Sequence, residues 1–354
     1  MNIRTNNKIN RKCIRKTFFL FILLLIFNQT NIFNIISLQN RLNLSIIFSG
    51  IYSDLFYIAR DGKALKPIIS KEKEKFYYFN REKKGVCLCT ICKNENLYIL
   101  EFVQYYQKIG YKKIIIFDNN DINGERFHKM LKDYISNNFV EIIDIRGLGK
   151  VQLAVYHYCY KKNNNLYDWI SFFDIDEFLY IKKKININSY IYNKRFQQCQ
   201  SVLFNWNICD DSNLERYDNR PLIERFKNCK KRAHFAKSMV RGNLENLFFP
   251  TSHICAINIK YFCDSNGNRI FPKSFINYNF NKTSYIAYIK HFFTKTAEEF
   301  CVKLNRGGGQ SSKNKTLIYR LKTFLSINKI TKNKIKILEN CTKVNLTKLI
   351  KKIL

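Results

Sequence analysis

Apolar positions in the middle of the chain fall into short continuous runs, separated by longer segments with helical spacing. The runs are rich in β-branched and aromatic residues and predict strands at 86–92, 113–117, 140–145 and 169–173. The segments between the runs predict helices at 95–109, 125–136 and 150–162. Because strands and helices alternate with short connections, we expect a parallel, Rossmann-like α/β sheet with helices on both faces.

The pattern also predicts the end of the first helix and the elements beyond the alternating region. Gly110 is a typical residue to end the helix at 95–109, whose positions near helical spacing are Leu97, Leu100, Val103, Tyr106 and Gln107. After residue 180 the pattern is weaker and predicts strands at 201–207 and 285–293, with a helix that begins at 222. The Lys-rich residues 311–354 are predicted to form a solvated basic tail with helical content. Amphipathic helices on a membrane surface are the alternative for this tail.

The N-terminus carries six Lys and Arg residues before an apolar run at 18–27. This run has the length of a signal-peptide core and is short for a membrane span. Basic residues before such a run favour a cytoplasmic N-terminus with the rest of the chain translocated. We therefore expect residues 1–38 to be a single-pass signal anchor, 39–84 a stem, and 85–310 a lumenal domain of the Golgi or ER. Secretion after cleavage of a signal peptide is the alternative.

Charge and cysteine content change this picture only slightly. The 354 residues include 61 Lys and Arg against 27 Asp and Glu, a net charge of +34. The lysines are spread along the whole chain without a helix-turn-helix, zinc-finger or RNA-binding pattern, so we expect no nucleic-acid partner. Some of the 12 cysteines can pair in an oxidising lumen, but the sequence does not give their connectivity. Cys89 and Cys92 have zinc-knuckle spacing without a second such pair, which favours structural or free thiols.

An acidic cluster comes directly after the last predicted strand of the alternating region. It consists of Asp174, Asp176 and Glu177, with apolar residues on both sides that argue against solvated surface acids. On an extended chain the side chains of Asp174 and Asp176 lie on the same side. Two such carboxylates repel each other unless a cation lies between them. Mg or Mn is the natural partner and usually brings phosphates with it.

Polar residues also stand after the other parallel strands, at the sheet edge where ligands bind in such folds. They form an ordered series: K-N-E at 93–95, D-N-N at 118–120, D-W-I-S-F-F-D-I-D-E-F at 168–178, F-N-W at 204–206 and E-R-F at 224–226. Over roughly residues 86–310 this series resembles glycosyltransferase family 92 and related enzymes with a GT-A fold. The resemblance implies metal-dependent transfer of a sugar, most readily galactose, from a UDP-sugar to a glycan acceptor.

The resemblance also implies roles for individual residues. Those implied to bind the nucleotide sugar are Lys93, Asn94, Glu95, Asp118, Asn119, Gln152 and Asp174. Those implied to hold Mn or Mg on the diphosphate are Asp174, Asp176 and His291, with His253 as the alternative histidine. A neutral imidazole beside carboxylates suits Mn.

Glycosyl transfer also needs a group that removes the proton of the attacking hydroxyl. Inverting enzymes use one carboxylate for this purpose. Glu224 is the first candidate, and Asp210 and Asp211 are its rivals. Alternatively, Glu224 is a surface acid paired with Arg220 or Arg225. Two aromatic side chains are candidates to stack on an acceptor sugar, or else belong to the core, namely Phe204 and Trp206.

Two other functional classes compete with this interpretation. A phosphohydrolase that uses Asp-x-Asp fits poorly, because its motif would end the first strand rather than the fourth and Phe178 stands where Thr or Val is usual. A non-catalytic basic binding protein that keeps the fold is the second alternative. Intact Asp174, Asp176, Asp118 and His291 argue against lost activity.

Overall fold

The computed structural model describes residues 82–182, 185–245, 247–255, 261–270, 285–306 and 313–351. The predicted anchor and most of the predicted stem therefore lie outside the described residues. Within these ranges, none of the helices combines the length and the apolar character needed to cross a membrane.

The first half of the domain is the predicted parallel sheet. Its strands are β1 (Val86–Cys92), β2 (Lys113–Asp118), β3 (Val140–Asp144) and β4 (Trp169–Phe172), in the order β3-β2-β1-β4. All three pairings are parallel, so the prediction for this half is confirmed. The connecting helices are α1 (Asn96–Lys108), α2 (Lys132–Ser136) and α3 (Gln152–Asn163). Apolar residues of α1 and α3 belong to two separate core clusters on the two faces of the sheet.

Two details of the predicted helices were wrong. Leu97 and Leu100 of α1 are exposed, and the buried face is formed by Ile99, Phe102 and their neighbours, which also recur at helical spacing. The helix predicted at 125–136 begins only at residue 132. The side chain of Asn120 donates to the backbone oxygen of Glu125 at 2.7 Å, so this carbonyl is bonded in a loop rather than in a helical turn.

The second half of the sheet is mixed. Its strands are β5 (Glu177–Ile181), β6 (Ser201–Cys209), β7 (Cys229–Arg241), β8 (Phe262–Asp264) and β9 (Ala287–His291). The order continues from β4 as β4-β7-β6-β9-β5, and β8 pairs with β6 off this path. Strand β7 is antiparallel to both β4 and β6, whereas β6 and β9 run parallel. Two short helices lie in the connections, α4 (Ile187–Ile191) and α5 (Leu222–Arg225).

The sheet curls because β4 and β5 are consecutive in the chain but four places apart in the sheet. Four strand spacings in a flat sheet amount to about 19 Å. The link from Phe172 to Glu177 reaches at most about 18 Å when fully extended. It is also shortened by a turn in which the Glu177 amide donates to the oxygen of Asp174 at 3.0 Å. The acidic segment 173–176 therefore connects β4 directly to β5 across the concave side of a curved sheet.

The C-terminal residues form helices that pack on the domain, so the prediction of a solvated tail was wrong. The helices are α6 (Ala297–Asn305), α7 (Lys313–Ile327), α8 (Lys332–Thr342) and α9 (Leu346–Lys351). A third apolar cluster, which includes Phe300 and Phe324, joins them. The amphipathic pattern noted in the sequence is used here to bury apolar side chains within the protein.

Disulfides among the described residues lie in the second half of the domain. They are Cys199–Cys263, Cys209–Cys229 and Cys301–Cys341. The described cysteines that remain thiols are all buried, namely Cys87, Cys89, Cys92, Cys159 and Cys255. Burial raises the pKa of Cys89 and Cys92, as expected for thiols packed in an apolar environment.

Candidate active site

The carboxylate of Asp174 is held by three donors at the end of β4. Its Oδ1 accepts from Gln152 Nε2 and from the Tyr156 hydroxyl, each at 3.1 Å. Its Oδ2 accepts from Lys237 Nζ at 2.9 Å. Burial by itself would raise the pKa of Asp174, but the Lys237 ammonium outweighs it and the pKa is lowered. Asp174 is therefore ionised and firmly oriented.

Asp176 has a different set of partners. Its Oδ2 accepts from Lys303 Nζ at 2.6 Å, and its Oδ1 lies 3.5 Å from His291 Nε2. The backbone amide of Phe292 donates to the backbone oxygen of Asp176 at 2.9 Å, which joins the start of β5 to the end of β9. Burial opposes ionisation, yet the Lys303 ammonium holds the pKa of Asp176 well below its ordinary value.

The two aspartates therefore are not same-side residues of an extended chain, as the sequence predicted. The segment is a turn rather than an extended strand, because Asp174 and Glu177 bond to each other across it. Each aspartate also has its own lysine, Lys237 from β7 and Lys303 from α6. In this arrangement the repulsion between the carboxylates does not by itself require a metal between them.

Glu177 stabilises the acidic turn from inside the protein. Its Oε2 accepts from the Asp174 amide at 2.9 Å and lies 3.3 Å from Lys237 Nζ. Burial raises the pKa of Glu177 well above its ordinary value, and the side chain is fully buried. Among the described residues its Oε1 has no hydrogen-bond partner. Glu177 is thus a support for Asp174 rather than a ligand of substrate.

The loop after β1 brings a second acid to the same region. Glu95 is buried and pairs with Arg306 and, at 3.8 Å, with Lys295. Arg306 also donates to the backbone oxygen of Lys93 at 2.7 Å. Asn94, which precedes Glu95 in the chain, has a φ of 50°, and its backbone amide donates to Asn120 Oδ1 at 2.6 Å. The loop is therefore tied both to the C-terminal helices and to the loop after β2.

The loop after β2 offers polar atoms at the carboxyl end of the sheet. Asp118 is buried, its Oδ1 accepts from the Asn120 amide at 3.0 Å, and burial raises its pKa. Asn119 Oδ1 is buried and has no hydrogen-bond partner within the described part of the chain. By contrast, Lys93 Nζ pairs with Asp121 at 2.8 Å near the surface. The unsatisfied Asn119 oxygen is a natural acceptor for a ligand donor.

An aromatic wall stands beside Asp176. The half-buried Trp206 stacks on Phe235 with ring centroids 5.2 Å apart, and its ring centroid is 4.2 Å from that of His291. Burial lowers the pKa of His291, so the imidazole is neutral at pH 7. Burial and Lys237 lower the pKa of His253 to about 4, and its Nδ1 lies 3.3 Å from the Ala236 oxygen. Phe204 is fully buried in the core.

The candidate bases lie apart from this cluster as far as their described contacts show. Asp211 is buried in an ion pair with Lys334 of α8 at 2.6 Å. Asp210 accepts the Ser212 amide at 2.9 Å. Glu224 is exposed on α5, and the neighbouring Arg225 pairs with Glu299 instead. The role of base stays a prediction for all three carboxylates.

The described residues suit a divalent cation that is shared with a ligand. They contain no group of three or more His, Cys, Asp and Glu side chains arranged to hold a metal. Asp176 Oδ1 and His291 Nε2 face each other at 3.5 Å and supply two donors. Mg²⁺ is typically bound by one or two carboxylates together with phosphate oxygens of the substrate. The donor set therefore fits a cation that arrives with a diphosphate.

The sequence did not reveal the role of the cations in the site. Lys237 belongs to the motif series behind the family resemblance, but no contact with Asp174 was predicted for it, and Lys303 lies in the apolar segment C-V-K-L, where a lysine is usually read as a surface residue. Arg306 was missed in the same way, and Glu177 was recognised in the acidic cluster but not as the support of Asp174. A charged residue inside an apolar run was the only indication in the sequence of a buried cation. Its partner is identified only by the tertiary structure.

Comparison with known proteins identifies related sequences. The sequence profile of Glycosyltransferase family 92 matches residues 82–315. A family 92 protein of Ricinus communis is 26% identical over 165 residues, which is 46% of this chain and 28% of that protein. A family 92 protein of Oryza sativa subsp. japonica is 27% identical over 103 residues, 29% of this chain and 17% of that protein. The chain thus matches less than a third of the length of either relative.

Solved structures show only distant similarity. S. aureus TarS 1–349 has a TM-score of 0.33 and 10% identity, over 68% of this chain and 70% of that chain. GalNAc-T7 with UDP, GalNAc and Mn²⁺ has a TM-score of 0.25 and 16% identity, over 36% of this chain and 23% of that chain.

Proposed function

The chain belongs to glycosyltransferase family 92, and we propose on this basis that it transfers a sugar from a UDP-sugar to a glycan acceptor. The observation that carries the proposal is the cluster of paired acids and cations at the carboxyl ends of the parallel strands. Asp174 and Asp176 meet Lys237 and Lys303 there. This edge is where nucleotides bind in open α/β sheets, and the domain has the arrangement expected of a GT-A enzyme.

The nucleoside is proposed to lie over the loops after β1 and β2. Asp118 and the unsatisfied Asn119 oxygen accept hydrogen bonds from it, and Asn94 and Glu95 shape the adjoining wall. The diphosphate then reaches Asp176 and the cations beside it. Lys303 and Arg306 donate to phosphate oxygens, since both side chains are partly exposed. Galactose is the donor sugar that the family resemblance suggests.

A Mn or Mg ion is proposed to bind with the diphosphate between Asp176 and His291. When bound, it neutralises charge on the leaving diphosphate as a Lewis acid. His291 presents a neutral imidazole to this place, and the Phe292–Asp176 backbone bond keeps the carboxylate beside it. Asp174, which already accepts three hydrogen bonds, orients the turn and faces the donor sugar.

The acceptor glycan is proposed to lie against Trp206 and Phe235, where a sugar face can stack. Inversion of the anomeric centre is part of this proposal, with Glu224, Asp210 or Asp211 as base. The three disulfides among the described residues support the expected oxidising lumen. Attachment to the membrane by the N-terminal segment belongs to the same proposal.

A panel of UDP-sugars with the full-length, detergent-solubilised protein tests the function. Turnover is measured with and without Mn²⁺, and the anomeric configuration of the product is read by NMR. We expect one UDP-sugar to be used and Asp176→Asn to abolish its use. Asp133→Asn, an exposed acid on α2, is the matched control and should leave turnover unchanged. A folded protein that binds no UDP-sugar would favour the non-catalytic binding protein instead.

A further inference from the structure

We propose that Lys303 occupies the cation position at Asp176 in the donor-free enzyme and moves to the diphosphate when the donor binds. The divalent cation then binds tightly only together with the diphosphate. This inference rests on the proposed function. It assigns to a lysine of α6 the task of keeping the metal site closed to metal alone.

The contacts of Lys303 show that its ammonium is held in place. Nζ donates to Asp176 Oδ2 at 2.6 Å and to the backbone oxygen of Phe293 at 2.9 Å. It also lies 4.3 Å from the centroid of the Phe293 ring. The other oxygen of Asp176 faces His291 at 3.5 Å. A divalent ion between Asp176 and His291 would share one carboxylate with the ammonium and be repelled by it.

The charges around Asp176 favour a metal that arrives with an anion over a metal alone. On one side of the turn two carboxylates, Asp176 and Glu95, face three cations, Lys303, Lys295 and Arg306. On the other side two carboxylates, Asp174 and Glu177, share one cation, Lys237, so the charges balance before any ligand arrives. A metal alone gives the group excess positive charge, whereas a diphosphate that arrives with it offsets this charge and gives Lys303 a new partner. Release of Asp176 by the lysine is thus coupled to the arrival of phosphate.

The backbone that carries Lys303 is fixed, so the exchange is a movement of the side chain. Helix α6 begins with a capping box between Thr296 and Glu299. Its other side is tied by the Cys301–Cys341 disulfide. The four-carbon stem of lysine can swing an ammonium by several ångströms while the helix stays in place.

The experiment is calorimetric titration of Mn²⁺ into the full-length protein, with and without saturating UDP. For the natural sequence we expect UDP to tighten Mn²⁺ binding at least about tenfold. In Lys303→Met the stem still packs on Phe293 but the charge is gone. We expect this variant to bind Mn²⁺ alone at least about tenfold more tightly, and UDP to tighten its binding less than in the natural protein, by the contribution of the phosphate oxygens that bind the ion. Lys322→Met, an exposed lysine on α7, should behave as the natural protein does.

The outcomes separate this inference from the proposed function. If the natural protein binds Mn²⁺ equally well with and without UDP, the inference is overturned, whether or not the Lys303 variant folds. Unchanged Mn²⁺ binding in a folded Lys303→Met protein overturns it as well. If no protein binds UDP under any condition, the proposed function itself fails. Lys303→Arg, which keeps the charge, should retain the coupling.

Discussion

Glu299 joins three elements around the start of helix α6, and its replacement by Gln gives a direct test of the packing. Its carboxylate accepts two bonds from Arg225, at 2.8 and 2.9 Å. It also accepts from the Tyr98 hydroxyl at 2.7 Å and from the Thr296 hydroxyl at 2.8 Å. The side chains of Arg225 and Glu299 are 1% and 3% exposed, so this is a buried ion pair.

The expected loss comes from the charge that remains. Glu299→Gln keeps the shape of the side chain but leaves the Arg225 guanidinium buried without a counter-charge. The new amide NH₂ is itself a donor and faces the donors that the carboxylate oxygen accepted from. Breaking a buried pair on one side costs about 3–5 kcal/mol of the free energy of unfolding. The exposed pair Asp218–Arg220 is the control, and Asp218→Asn should cost less than about 1 kcal/mol. The double variant Arg225→Met with Glu299→Gln should recover part of the loss, because no charge stays buried.

Urea unfolding of the full-length protein, monitored by circular dichroism, measures these values. The slope of the free energy against urea should be the same in all variants, so that the midpoints report stability. A loss below about 1 kcal/mol for Glu299→Gln would refute the reasoning, since it would place the pair in solvent. The Asp218→Asn control shows whether the removal of a negative charge by itself changes the free energy of unfolding.

Three further predictions rest on contacts of buried residues. Burial would raise the pKa of Glu299, but the bonds from Arg225, Tyr98 and Thr296 outweigh it and the pKa is lowered. The contribution of Glu299 to stability is therefore present above the unfolded pKa of about 4.3 and is lost as pH falls towards the folded pKa. The free energy of unfolding should then decrease less steeply with falling pH in Glu299→Gln than in the natural protein. Lys237→Met should lower the urea midpoint because the buried Glu177 and the partly exposed Asp174 lose their shared cation, whereas Lys230→Met, exposed on the same strand, should not. Replacing both Cys301 and Cys341 by Ser should cost about 4 kcal/mol in the chain-entropy account of a link across 40 residues, measured by the same unfolding.

The parallel half of the sheet was predictable because three of its four strands, β1, β2 and β4, are buried on both faces. Such strands read as continuous apolar runs, and one helix connects each strand to the next in the chain. Strand β7 was not predicted, although it has 13 residues and pairs with both β4 and β6. Its pairing is set by partners distant in sequence, and its charged residues break the apolar pattern. The buried positions of α1 were likewise decided by packing against the sheet, not by spacing alone.

The site was predictable in its acids but not in its counter-ions. Asp174, Asp176 and His291 were named from motif and order, and the structure brings Asp176 and His291 within 3.5 Å. Lys237 and Lys303 come from elements 63 and 127 residues away from their partners. No local pattern connects residues at such separations. The prediction of an extended segment was wrong on the same point, since the turn and the lysines are tertiary features, whereas the metal at Asp174, Asp176 and His291 stays a prediction.

The short link across the concave side of the curved sheet also has a consequence for the order in which the protein folds. Glu177 on β5 pairs with His291 on β9, so the acidic turn is closed by a segment made more than a hundred residues later. Closing such a distant contact is slow, and N-terminal segments fold first during synthesis. The parallel half can therefore form early without any competent site. The site proposed for the nucleotide sugar is then complete only after the second half of the sheet has folded.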